Sequence, residues 1–168
     1  MSTDLKQYRE NARQRNLCEE YTKIWDSRKT LKQVFDMAMS SKGVDYLCAS
    51  IAENWGISPE IIAEKFSPFV NNGHISEQNG YNSMMYCLYN GIIDARSTVL
   101  AIISSDVIVD IPETNICEIY AVCKCRIELR GKGRCVVVCY GDENDVEIVG
   151  SCGNMKRIQK KGRDSYGD

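Results

Sequence analysis

The chain has 168 residues, 43% of them hydrophobic and 26% charged, which excludes wholesale disorder and allows one domain or two small ones. Its formal net charge of −2 excludes a broadly cationic binder of nucleic acid or membrane surfaces. The charge is unevenly spread: residues 1–30 hold seven Lys/Arg against five Asp/Glu, residues 31–154 nine against sixteen, and residues 155–168 five against two.

An acidic body between mildly basic ends repels phosphates. The closing cluster Lys156, Arg157, Lys160, Lys161 and Arg163 reads as a solvated tail. The opening MSTDLKQYRENARQRN lacks the apolar segment of a secretory signal and is too acidic for a transit peptide. No window approaches the roughly 18 apolar residues of a membrane span. The expectation is a cytoplasmic protein with no membrane contact.

Residues 4–26 read as a first helix, with Leu17, Tyr21, Ile24 and Trp25 at i, i+4, i+7 and i+8. Ser27 or Thr30 caps a second through Met39, carrying Leu31, Val34, Phe35 and Ala38 at helical spacing. Val44–Trp55 fits a third, stopped by Gly56. Ser58-Pro59-Glu60 is an N-cap followed by proline in the first turn of a short fourth helix through Phe66. Residues 67–91 are turn-rich, with Asn71-Asn72-Gly73 and Asn79-Gly80. The expected division is a helical subdomain over residues 1–66, a transition over 67–91, a β subdomain over 92–160 and a flexible basic tail over 161–168.

The β subdomain is repetitive. Cut into nines it reads ICEIYAVCK, CRIELRGKG, RCVVVCYGD, ENDVEIVGS and CGNMKRIQK over residues 116–160. Each segment carries an apolar strand in its middle and small, polar or glycine residues at its end. A β-solenoid rung requires this: inward apolar residues stack on the next rung, and Gly or Asp turns the corner. The fold class expected is therefore α+β, three or four N-terminal helices followed by a short C-terminal β-solenoid. An antiparallel sandwich or meander is the alternative. The helical subdomain is expected to cap one open end of the β subdomain.

Four groups of residues are candidates for function. Ala52, Gly56, Ile57, Ser58, Glu60, Ile62 and Lys65 follow a helix-turn-helix pattern, in which Ala lets two helices approach, Gly takes the turn and the isoleucines fill the joint. Glu60 and Glu64 on the second helix suit a packing or protein-binding role better than DNA readout. Arg126, Arg130, Lys132 and Arg134 form the one basic cluster of the β subdomain and are an alternative anion or nucleotide site. Tyr81, Met84, Met85, Tyr86 and Tyr89 offer a contact surface of interface-enriched types, or core residues. Of nine cysteines, Cys123, Cys125, Cys135 and Cys139 are the set that a thiolate zinc site would draw on. The usual C-x2-C pairs are absent, so packing thiols and no cofactor are expected. His74, the sole histidine, lies in a predicted turn and reads as a surface residue without a dyad partner. No catalytic set emerges, which points away from an enzyme.

Trp25, the Ser50-Ile51-Ala52-Glu53-Asn54-Trp55-Gly56-Ile57-Ser58-Pro59 stretch, Gly80-Tyr81 with Met85-Tyr86-Cys87, Ile116-Cys117-Glu118-Ile119-Tyr120 and Lys156-Arg157-Ile158-Gln159-Lys160 together give a resemblance over most of the chain. It resembles a group of uncharacterised small proteins carried by gut bacteria and their phages or mobile elements. The resemblance implies a phage or mobile-element setting and brings no activity or functional residue with it. The expected function is a non-enzymatic protein-interaction or scaffold protein binding a host or virion component, with a second copy of the chain as the first partner to test. A helix-turn-helix DNA regulator and a small-ligand binder are the alternatives.

Overall fold

The computed structural model describes residues 3–15, 19–28, 30–78 and 80–161, with backbone alone at 3, 4 and 19–21. The protein is α+β: five helices are described in the N-terminal half, followed by a β-solenoid of about four turns. The helices are α1 (Thr3–Gln14), α2 (Glu19–Ser27), α3 (Leu31–Ala38), α4 (Ser41–Ala52) and α5 (Pro59–Lys65). The single helix expected over 4–26 is thus two. Leu17 and Cys18, the tail beyond Lys161 and the side chain of Tyr21 lie outside the described residues.

Three helix starts rest on caps. Thr30 and Gln33 form a reciprocal capping box, and the hydroxyls of Ser40 and Ser58 accept from Gly43 and Ile61 N–H. Each cap satisfies backbone donors that the helix itself leaves unpaired, worth about 1 kcal/mol apiece.

The strands are β1 (Ser76–Gln78), β2 (Tyr81–Cys87), β3 (Asn90–Asp94), β4 (Val99–Ile103), β5 (Asp106–Ile111), β6 (Ile116–Val122), β7 (Cys125–Gly131), β8 (Arg134–Tyr140), β9 (Val146–Gly150) and β10 (Asn154–Lys160). Even strands stack in one sheet, β1-β2-β4-β6-β8-β10, and odd strands in the other, β3-β5-β7-β9. All pairings are parallel except β1 with β2. Each rung is one strand from each sheet. Register partners Ser83–Val99, Val99–Glu118, Ile116–Arg134 and Arg134–Asn154 put 16, 19, 18 and 20 residues in successive rungs.

The nine-residue unit is therefore half a rung. Its cuts at 116, 125 and 134 coincide with the first residues of β6, β7 and β8. The later cuts precede β9 and β10 because the β8–β9 corner carries five residues, 141–145. At the other even-to-odd corners only two residues connect the strands. The first residue after β2, β4, β6 and β8 lies at positive φ: Leu88 at 50°, Ser104 at 46°, Cys123 at 67° and Gly141 at 96°. These left-handed residues form a column down one edge of the solenoid.

Alternation along the strands fills the space between the sheets. One column runs Met84, Leu100, Ile119, Val137, and it faces Val107, Val109, Ile127 and Leu129 of the odd sheet. The opposite face of the even sheet is also apolar. Met85, Cys87, Ala101, Ile103, Val122 and Tyr140 pack against Phe35, Val44, Cys48, Ile51 and Ile62 of the helices. The helices accordingly lie along the flank of the even sheet and do not cap an end of the stack. A polar tie fixes the layer: the buried Tyr140 hydroxyl donates to Asp45 Oδ1 on α4, and Lys160 Nζ donates to the same oxygen at 2.9 Å.

Candidate interaction surface

The helices cover much of the outer face of the even sheet, whereas no described residue outside the strands packs over the outer face of the odd sheet. Parallel sheets are ordinarily covered on both sides, so this surface is the first place to look for function. Three columns cross it. The central one is Ile92, Ile108, Glu128 and Val149. On one side stand Asn90, Asp106, Arg126 and Glu147, and on the other Asp94, Asp110 and Arg130. Ile92 is 65% exposed, more than any other large apolar side chain among the described residues, and half-buried Ile108 continues its column.

Both arginines on this face are paired with carboxylates, which outnumber them five to two. Arg126 lies between Asp106 and Glu147, at 3.7 and 3.6 Å, and Arg130 Nη2 meets Glu128 at 2.8 Å. The proposed anion cluster is thereby divided: Arg126 and Arg130 sit on the bare face facing carboxylates, while Lys132 and Arg134 sit at the odd-to-even corner. Gly131 and Gly133 are needed there for close stacking. A Cβ on Gly133 would lie 2.3 Å from Pro112 O and 2.4 Å from Ile111 Cγ2.

The two ends of the stack differ. At the first rung β1 covers the edge of β2, tied to α3 by Ser76 Oγ donating to Asp36 Oδ1 at 2.7 Å. At the far end β10 closes two of the three core columns with polar residues and the third with Met155. Val137 is followed in register by Arg157, and Cys139 by Gln159. Arg157 Nη2 donates to Glu143 O and Gln159 Oε1, both at 3.0 Å, and Gln159 Nε2 donates to Gly141 O at 2.8 Å. These residues terminate stacking as the polar cap of a repeat array does.

The helix-turn-helix residues come together as α4, a turn and α5. Gly56 N–H donates to Ser50 O at 2.9 Å, and Ile57 and Ile62 are buried in the joint that Ala52 borders. Ser58 caps α5, whose exposed positions include Glu60 and Glu64; Lys65 pairs with Glu64 at 3.0 Å. α5 rests on β2, and Cys87 Sγ donates to Pro59 O at 3.2 Å. Of the aromatic and methionine segment, Met84, Met85 and Tyr86 are buried on alternate faces of β2. Tyr81 and Tyr89 are half-buried, and the Tyr89 ring packs at a tilt against Tyr86 with ring centroids 4.9 Å apart.

The eight described cysteines are free thiols. Cys135 and Cys139 point into the solenoid core with Val137, Cys125 faces them from β7, and Cys123 occupies the left-handed corner. Among the described residues no group of three or more His, Cys, Asp or Glu is arranged to hold a metal ion. Burial pushes the Cys117 and Cys135 thiols up to about 12, with Cys152 adding to the shift at Cys135, and pushes Cys125 up to about 11. His74 is not a free surface residue: its ring packs on Phe69 and Phe35, with centroids 5.2 and 5.9 Å away. No helix among the described residues is long and apolar enough to cross a membrane.

Apart from Arg126 and Arg130, sequence reasoning misses the residues of the bare face, yet a signal for them exists. Val107, Val109 and Ile111 alternate inward, which sends Asp106, Ile108 and Asp110 to the opposite face. No known family model, curated protein or solved structure matches the chain.

Proposed function

We propose that the protein is a non-enzymatic interaction module whose solenoid presents the outer face of the odd sheet to a protein partner. The observation that carries this reading is the uncovered parallel face centred on Ile92 and Ile108, backed by stacked rungs and rimmed by carboxylates and two paired arginines. A partner with an apolar side chain at the centre of its contact and mixed charges around it fits such a surface, because contacts are apolar at the core and polar at the rim. The resemblance to proteins of phages and mobile elements supplies the setting, a host or virion component as partner. The polar termination at β10 favours face-on contact over end-to-end stacking of copies.

The acidic α5 supports this reading over a DNA-binding one, since carboxylates at Glu60 and Glu64 repel the phosphate backbone. The carboxylate partners of Arg126 and Arg130 likewise support it over an anion site. The test is affinity capture from host lysate, with sedimentation of the purified protein, for the wild type and Ile92→Arg. The expected result is a specific partner, or a second copy of the chain, lost in Ile92→Arg while its urea stability is unchanged. Equal capture by both proteins, or no specific partner together with turnover of a small molecule, overturns the reading.

A further inference from the structure

We propose that Cys135 and Cys152 form an oxidation site, in which a peroxide joins them in a disulfide that staples the last complete rung of the solenoid. The two sulfurs are 3.8 Å apart, and no other pair of described cysteines is in hydrogen-bonding contact. Their settings are complementary. Cys152 is half-buried in the short corner 151–153 between β9 and β10, where its thiol donates to Asn154 O at 3.2 Å. Cys135 is 4% exposed, at the start of β8 on the inner face, in register with Cys117 on one side and Met155 on the other.

The chemistry assigns an order to the two thiols. Hydrogen peroxide reaches Cys152, whose thiolate attacks one peroxide oxygen; the O–O bond breaks, leaving a sulfenic acid and, after protonation, one water. The Cys135 sulfur then displaces hydroxide from the Cys152 sulfur, and its proton leaves with that hydroxide as a second water. Two thiols are oxidised and one peroxide is reduced to two waters. Burial keeps Cys135 protonated at neutral pH, which suits the resolving partner more than the first attacker.

The cross-link would enclose β8 from Cys135 onward, the five-residue corner and β9, nearly one complete rung. Its stabilisation comes from closing a loop of this length in the unfolded chain, and it acts on the rung whose odd strand, β9, has no strand beyond it.

The experiment treats the purified full-length chain with hydrogen peroxide, blocks residual thiols, and digests it after Glu143 and Glu147, which separates Cys135 and Cys139 from Cys152. The expected product is a linked peptide pair that dithiothreitol separates, with fragmentation placing the link on Cys135. Melting temperature should rise by about 6–12 °C in the oxidised form and return on reduction. Cys152→Ser, at a half-buried corner that tolerates a hydroxyl, should lose both effects, and Cys117→Ser should keep them. Nine free thiols surviving peroxide in the wild type, a link that persists in Cys152→Ser, or a link through Cys139 would each overturn the proposal.

Discussion

Replacing Gly133 by alanine should cost far more stability than replacing Gly80, and the comparison tests whether the corners stack as tightly as described. A Cβ at Gly133 would stand 2.3 Å from Pro112 O, 2.4 Å from Ile111 Cγ2 and 2.9 Å from Asn115 O, and two of those atoms are backbone. Clearing them requires the corner to move away from its neighbour. That movement stretches Gly133 N–H to Ile111 O at 2.9 Å and Gly153 N–H to Gly133 O at 2.8 Å, bonds that hold three consecutive rungs together. Overpacking costs about 1–3 kcal/mol and each of the two weakened hydrogen bonds about 1 kcal/mol, so the expected loss is about 3–5 kcal/mol. Gly80, at φ 78°, has nothing within 4 Å of an added Cβ. Its alanine variant bears only the left-handed penalty of about 1–2 kcal/mol, partly offset by reduced freedom in the unfolded chain. Urea unfolding followed by circular dichroism, with m-values compared, reads both. Variants within about 1 kcal/mol of each other would show that the corners do not pack as closely as the stacking requires.

Asp45→Ala should destabilise by about 2–4 kcal/mol, because it strips the acceptor from the buried Tyr140 hydroxyl and from Lys160. Adding Tyr140→Phe should then cost less than it does alone, and an additive double-mutant cycle in urea would contradict the tie between α4 and β8. Arg157→Leu extends the column ending in Val137 to the open end and should make the protein self-associate more strongly than wild type in sedimentation; unchanged sedimentation would remove the terminating role. The buried thiols make stability pH-dependent in one direction. Their folded values are raised by burial above the ordinary thiol value of 9.0, to about 12 at Cys87, Cys117 and Cys135. The unfolded chain therefore releases protons first. The contribution is complete below about pH 9 and should be lost as pH rises toward 12, so urea midpoints should be level from neutral to pH 8 and fall above that. A midpoint that rises with alkalinity would refute the assignment.

Much of this architecture is local and therefore legible in sequence. Ser58-Pro59 marks the start of α5 because a cap and a proline meet the same backbone requirement. The nine-residue spacing marks half-rungs because strand length and corner length repeat together. The apolar run Val99–Ile103 announces a strand buried on both faces, as β4 is. What alternation does not carry is the identity of the layer beyond each face. The helices' apolar stripes at Val34, Phe35, Val44 and Ile62 are satisfied equally by an end or a flank, and only the tertiary packing selects the flank. Arg157 and Gln159 are read within a basic terminal cluster, because their role depends on register with Val137 and Cys139, a pairing distant in sequence. Surface residues such as Ile92 carry no packing constraint of their own, so their pattern emerges only once the inward positions are known.

The polar residues that end the last rung have a consequence for size. In a stack whose units touch only their neighbours, length is decided where the terminator stands, not by the units before it. A rung inserted between existing ones would leave both β1 and β10 in place and lengthen the bare face by one strand spacing, about 4.8 Å. The module is thus a ruler with a fixed endpiece, and the footprint it offers can change in whole steps without redesign of either end.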